Sequence, residues 1–187
     1  MNKFQRNTLT LTFIAILISF SPPALSATIT FIHENDLHAH LTPHLDKIEK
    51  NGALVYESRG GIARLATLVK QIRAEQPNSI LMNIGDTYHG GVEALFTNGN
   101  AIVDPVNALG IDLVIPGNWD YAYGSSVTHL RYAYLSAPQT HMYTSHFGIS
   151  TLLPPFPNLA ANLTYSDSAF PFLPATFIND RDGVNVG

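Results

Sequence analysis

Four residues able to grip a divalent cation stand at three widely spaced points of the chain. Asp36 and His38 lie two apart within His33-Glu34-Asn35-Asp36-Leu37-His38-Ala39-His40, Asp86 follows Gly85, and Asn118 follows Pro116-Gly117. On an extended backbone, residues i and i+2 point to one side, so Asp36 and His38 can hold the same ion. Asp86 is a carboxylate that can bridge two cations, and Asn118 offers an amide oxygen. One imidazole among hard oxygen donors, with no sulfur, suits manganese, iron, zinc or magnesium better than copper. Taken singly, each residue reads as a turn former or helix cap. Three clusters in succession, each at the end of a predicted strand, read together as a cation site.

Such a site needs elements that deliver distant residues to one place. Thr28 to His33 is a short β-branched run, a strand by composition. From His40 to Arg59 the periodicity is lost, and Pro43 with Asn51-Gly52 marks the stretch as loop. After Gly60-Gly61, the apolar positions Ile62, Leu65, Val69 and Ile72 recur at helical spacing, which predicts an amphipathic helix ending before Pro77. Ser79 to Ile84 reads as a second strand, Ala101 to Leu109 as a second helix stopped by Gly110, and Ile111 to Ile115 as a third strand. Alternating strands and helices imply an α/β domain with a buried sheet, and in such sheets ligands bind beyond the carboxyl ends of the strands. All three clusters fall there.

Composition excludes several other chemistries. The 187 residues are 13% charged and 45% hydrophobic, a globular profile. They contain no Cys, so there is no disulfide framework, thiolate zinc site or cysteine nucleophile. Ten Lys and Arg against 14 Asp and Glu give a formal net charge of -4, with no basic block to meet a run of phosphates. No nucleic-acid partner is therefore expected. Residues 1–27 read as a secretory signal peptide. Lys3 and Arg6 precede an apolar run from Leu9 to Phe20, and small residues follow, with cleavage after Ser26 or Ala27. The run is too short to span a bilayer. The expected product is a secreted, periplasmic chain with no stable membrane anchor after signal cleavage. Asn162-Leu163-Thr164 has the form of a glycosylation acceptor, a triplet that chance supplies in most chains of this length.

Asp36-Leu37-His38, Gly85-Asp86 and Gly117-Asn118 resemble the first three motifs of the calcineurin-like metallophosphoesterases, written D-x-H, G-D and G-N-H-D/E. The flanking words His33 to His40, Gly60 to Leu65 and Tyr123-Gly124 are similar to those of the exported 5'-nucleotidase branch. So is Phe156 to Leu163, where that branch has a strand ending in Ala-Asn. The resemblance implies a four-layer α-β-β-α sandwich, of which this chain is the amino-terminal portion. It divides the chain into signal peptide 1–27 and partial metallophosphoesterase domain 28–187, with 125–155 an unmatched insertion. It implies a two-metal hydrolase of phosphate monoesters acting in nucleotide catabolism, its partner a small phosphorylated substrate such as a nucleotide. By resemblance, Asp36 and His38 would sit on one metal, Asp86 would bridge both and Asn118 would sit on the second. The family's later histidine ligands have no assignable counterpart in this sequence.

The family's leaving-group His and its partnering Asp fall at Trp119 and Ala122, neither of which can donate a proton. No catalytic residue is therefore assigned. A Trp at the first of these positions resembles the thiosulfohydrolases of sulfur oxidation, as do Thr97 to Asp104 and Trp119 to Gly124. Asn118 follows the nucleotidase pattern instead. Phosphoester hydrolysis is the leading expectation, and a thiosulfohydrolase or an inactive amino-terminal fragment are the alternatives. His89 is the candidate substrate-binding residue, with a polar-loop residue as its rival reading. His40 and His44 read as solvated loop histidines or as support for the metal shell. Trp119 reads either as a core plug or as a site residue. His129, His141 and His146, with Tyr132, Tyr134 and Tyr143, read as a surface excursion or a lid. The sequence Asp182-Gly183 predicts a closing hairpin.

Overall fold

The structure is a computed structural model that describes residues 27–133 and 156–187. The predicted leader up to residue 26, and residues 134–155 with His141, His146, Tyr134 and Tyr143, lie outside the described residues. The chain forms β1 (Thr30–Glu34), β2 (His44–Lys50), β3 (Ala53–Arg59), α1 (Ile62–Glu75) and β4 (Ser79–Asn83). Then come α2 (Val92–Phe96), α3 (Asn100–Ala108), β5 (Leu113–Val114), a 3-10 turn (Asn118–Tyr121), α4 (Ser125–Tyr132), β6 (Asn179–Arg181) and β7 (Val184–Val186).

The α/β class expected from the alternation is the class found. β1, β4 and β5 make a parallel sheet in that order, with Glu34 opposite Asn83 and Asn83 opposite Val114. Asn158 adds one parallel bridge to Val114, so the chain returns to the sheet after residue 155. Of the four layers expected, the described residues show this one parallel sheet with its helices. β4 is buried along almost its whole length, as suits a strand covered on both faces. Its Leu81 packs with Val69 of α1, with Ile102, Val103 and Val106 of α3, and with Val114, Tyr132 and Phe156, and its Ile80 is buried as well. The α1 periodicity holds, with Ile62, Leu65 and Ala66 partly buried against that cluster.

One carboxylate braces the sheet edge. Asp112 Oδ2 accepts from the Leu81 backbone N–H and from Arg73 Nη2 of α1, both at 2.8 Å, while Oδ1 accepts from Arg181 of β6. The closing hairpin is thereby tied to the sheet, and it turns at Asp182-Gly183 as the sequence predicts, with φ of 55° and 79°.

Four expectations change. Residues 40–59 are not an aperiodic loop. β2 and β3 pair as an antiparallel ribbon in full register from His44–Arg59 to Lys50–Ala53. Asn51 and Gly52, at φ 53° and 78°, supply the two positive φ values that a tight hairpin turn demands. The ribbon carries exposed Leu45, Leu54 and Tyr56, so no apolar alternation announced it. The third strand is shorter than predicted, two residues rather than five. α2 carried too few residues for a periodic signal. Finally, residues 125–132 are no surface excursion: Val127, Leu130, Arg131 and Tyr132 of α4 are buried, and Arg131 sits 5.6 Å from the centre of the Tyr88 ring.

Candidate metal centre

Parallel pairing of β1 with β4 sets two loop exits side by side, and the ladder continues past both strand ends. The N–H groups of Asp36, His38 and Ala39 donate to the carbonyls of Gly85, Asp86 and Thr87 at 3.0, 2.9 and 3.0 Å. The backbone here is not the extended exit that the i, i+2 spacing assumed. Asp36, His38 and Asp86 have φ of 56°, 44° and 55°. Left-handed backbone costs a residue with a Cβ roughly 1 kcal/mol or more, and such conformations persist where surrounding bonds over-determine them. Asp36 and His38 do converge, but through turns rather than through a pleat.

Glycine allows the third exit to reach the same place. A Cβ on Gly85 would lie 2.1 Å from the Gly117 nitrogen, and a Cβ on Gly117 would lie 2.3 Å from Asp86 Oδ1. The Trp119 N–H donates to Asp86 Oδ1 at 2.9 Å, which fixes the carboxylate from the β5 side. Asp120 performs the larger part of this joining. Its buried carboxylate accepts from the backbone N–H groups of Asp86, Thr87, Tyr88 and Gly117 at 2.8, 2.9, 3.3 and 2.9 Å. It therefore satisfies donors from two strand-end loops with one side chain.

A second polar unit supports the first loop from beneath. Asn83 Nδ2 donates to Glu34 Oε1 at 2.7 Å, while Asn83 Oδ1 accepts from the Gly85 N–H and the Thr87 hydroxyl at 2.8 and 3.0 Å. Burial pushes the Glu34 carboxyl up to about 7, against the opposing hydrogen bond from Asn83.

Three of the four predicted ligands are brought together. His38 Nε2 lies 3.2 Å from Asp36 Oδ1 and 4.0 Å from Asp86 Oδ2, and one donor atom from each residue falls within 4.8 Å of the others. Two carboxylates and an imidazole converging on one point are a donor set suited to a hard or borderline divalent cation, so these residues fit one. Asn118 opens the 3-10 turn as an exposed residue, directly before the backbone N–H that holds Asp86.

His89 lies against this group. Its Nδ1 is 3.2 Å from His38 Nδ1, and its ring packs at 4.6 Å from the His38 ring and 5.3 Å, edge on, from Trp119. His89 is 7% exposed, and its buried Nε2 has no partner among the described residues. Burial, followed by the neighbouring His38, holds the His89 imidazole below the usual histidine range. Trp119 itself is 57% exposed and is no core plug. His40 stacks on His44 at 5.0 Å, and His44 pairs with Asp46 at 3.0 Å, outside the three-residue group.

The sequence reading passed over Asp120, Glu34 and Asn83 as functional residues. Asp120 left a signal. An acid three residues after Gly117 sits where it can reach back to the N–H that opens the turn, half of a capping box.

A profile of the calcineurin-like phosphoesterase family matches residues 29–185. The mouse (Mus musculus) 5'-nucleotidase is 30% identical over 181 residues, covering 88% of this chain and 31% of that protein. Among solved structures, the NAD nucleotidase of Haemophilus influenzae superposes with a TM-score of 0.64 at 20% identity, covering 84% of this chain and 28% of that one. The sulfate thiohydrolase of Thermus thermophilus superposes at 0.59 with 16% identity, covering 88% and 35%. The chain thus spans about a third or less of the length of the relatives it matches.

Proposed function

The chain belongs to the calcineurin-like phosphoesterase family, and from that premise we propose that it carries the first metal ligands of an exported, two-metal hydrolase of phosphate monoesters. Nucleotides are the substrate class of this reading, the periplasm its compartment, and residues 1–27 its cleaved leader. Asp36 and His38 would hold one divalent cation, Asp86 would be shared by two, and Asn118 would serve the second. Manganese, zinc, iron and magnesium all suit these donors. Such a pair of cations polarises phosphoryl oxygens and acidifies bound water.

The chain's own residues do the rest of the work visible in the structure. Asp36 and Asp86 bring negative charge that compensates the cations before a dianionic phosphate arrives. Asp120 and the Trp119 N–H hold Asp86 from two sides, so the shared donor does not have to be ordered during binding. Trp119 offers no proton to a leaving group, so this reading assigns leaving-group protonation to no particular residue. Direct contact of His89 with substrate also belongs to this reading.

The convergence of Asp36, His38 and Asp86 at the ends of two paired strands carries the proposal. Its test is the full-length protein, stripped of metal and reloaded with Mn²⁺ or Zn²⁺, assayed for phosphate release from nucleoside monophosphates. Metal-dependent release is expected. Stoichiometric metal binding with no phosphate from any monoester would overturn the reading.

One observation favours a second reading. Trp119 occupies the position of the family's leaving-group His, and the fold superposes on a sulfate thiohydrolase. Release of sulfate, rather than phosphate, from a thiosulfonate-capped carrier peptide would decide for it.

A further inference from the structure

We propose that His89 is a positioning residue for the metal ligand His38, accepting the proton on His38 Nδ1 and so committing Nε2 to the cation. The inference rests on the reading that His38 binds metal. Its warrant is the way the two rings face. His38 Nε2 points toward the carboxylates of Asp36 and Asp86, and Nδ1 points the other way, to His89 Nδ1 at 3.2 Å. A neutral imidazole has one nitrogen with a lone pair and one with a hydrogen. If Nε2 is to give its lone pair to a cation, the hydrogen must sit on Nδ1, and a part-buried N–H needs an acceptor. Among the described residues, His89 Nδ1 is the acceptor in reach. Metal-binding histidines generally use a carboxylate, carbonyl or water in this place; here another imidazole fills it.

The requirement propagates one ring further. With Nδ1 as acceptor, His89 must carry its own hydrogen on Nε2, the buried atom that has no partner among the described residues. The surroundings keep the ring from turning over. It is packed between His38 and Trp119, and the backbone just after it is fastened to His38. The Gly91 N–H donates to the His38 carbonyl at 2.9 Å. A Cβ at Gly90, whose φ is 109°, would come within 2.7 Å of that same oxygen. Only a glycine permits so close a wrap, and the wrap fixes the distance between the two rings.

The test uses the full-length protein with Mn²⁺ as probe, comparing wild type with His89→Phe and His89→Gln. Phe keeps a ring of similar bulk and removes the acceptor, whereas Gln keeps an acceptor oxygen. The expected result is a 10- to 100-fold loss of Mn²⁺ affinity by calorimetry in His89→Phe, with His89→Gln within about threefold of wild type on the same scale. Nitrogen-15 NMR of the Zn²⁺-loaded protein, in which a ligated His38 Nε2 leaves the hydrogen on Nδ1, should show His89 with its hydrogen on Nε2 and Nδ1 as the unprotonated acceptor. Equal affinities in all three proteins, or a loaded wild type in which His89 carries its hydrogen on Nδ1, would overturn the positioning role. A parallel loss in both variants would overturn it too, because it would mark His89 as packing alone. His38→Ala separates the two layers of the argument. If it binds Mn²⁺ as wild type does, the metal reading itself has failed, whatever His89 does.

Discussion

Asp36-Leu37-His38 and His44-Leu45-Asp46 are near mirror images, and in each the acid and the imidazole meet, at 3.2 and 3.0 Å. Little else about them is alike. The first pair stands on left-handed backbone, zipped to a neighbouring loop and joined by Asp86 and His89. The second stands on a regular strand of an exposed ribbon, both side chains 44% exposed, and belongs to no three-donor group among the described residues. The difference separates a pair of ligand types from a site. Spacing brings two donors together cheaply anywhere. A site adds a third donor from a distant part of the chain, and a network that holds all three in a conformation none prefers.

The largest expected effect attacks the third donor. Asp86→Ala in the full-length protein should lower metal-dependent turnover by about 10³-fold or more, with reduced metal stoichiometry by elemental analysis. Turnover at wild-type level would reduce the first pair to the standing of the second.

Next comes the network. Asp120→Ala leaves three buried N–H groups and the part-buried one of Gly117 without their acceptor and should cost about 3 kcal/mol in urea unfolding. A variant as stable as wild type would mean that the loops hold their strained shape unaided.

A milder change tests the support beneath. The Glu34 carboxyl lies near 7 in the folded chain against 4.5 for the ordinary group. Because the folded value is raised, the folded state binds the proton more tightly. The stability this gives is complete below about 4.5 and is lost as pH rises through about 7. Glu34→Gln, which mimics the protonated acid, should flatten that slope and gain about 2 kcal/mol over wild type at pH 8. Unfolding curves of the metal-free protein between pH 4.5 and 8 would read it; parallel slopes would refute the assignment.

The smallest effect is the control. His44→Ala and Asp46→Ala should each change stability by less than about 0.5 kcal/mol and leave Mn²⁺ affinity unaltered, as exposed pairs do. A fall in affinity would bring the ribbon into the site.

Much of this was legible in the residues. The parallel sheet followed from short β-branched runs alternating with an amphipathic helix, and the strand-end rule then pointed to Asp36, His38 and Asp86. What escaped had physical reasons for being silent. The β2–β3 ribbon is exposed on one face and only half-buried on the other, where Asp46 and Glu57 stand beside Ile48 and Val55, so it leaves no clean alternation of apolar and polar residues, and only Asn51-Gly52 spoke for it. α4 is buried although its sequence, Ser125 to Tyr132, is largely polar: Arg131 lies against Tyr88 and reaches the Asn98 carbonyl. Asp120 works through backbone N–H groups 32 to 34 residues away, partners that no local pattern encodes. The left-handed turns at Asp36 and His38 were equally hidden, because the i, i+2 rule gives the right convergence for the wrong backbone.

Asp112 adds a dimension of time. Its Oδ2 is engaged by Arg73 and Leu81, both earlier in the chain, but the partner of Oδ1, Arg181, comes 69 residues later. At about 5–20 residues per second of synthesis, Arg181 leaves the ribosome roughly 3 to 14 seconds after Asp112. During that interval the strands that carry the metal ligands are already in existence, and half of the brace on their edge is still answered by water. The β6–β7 hairpin is therefore fastened to strands that are made well before it. A chain released before Arg181 would lack that hold on Asp112 Oδ1.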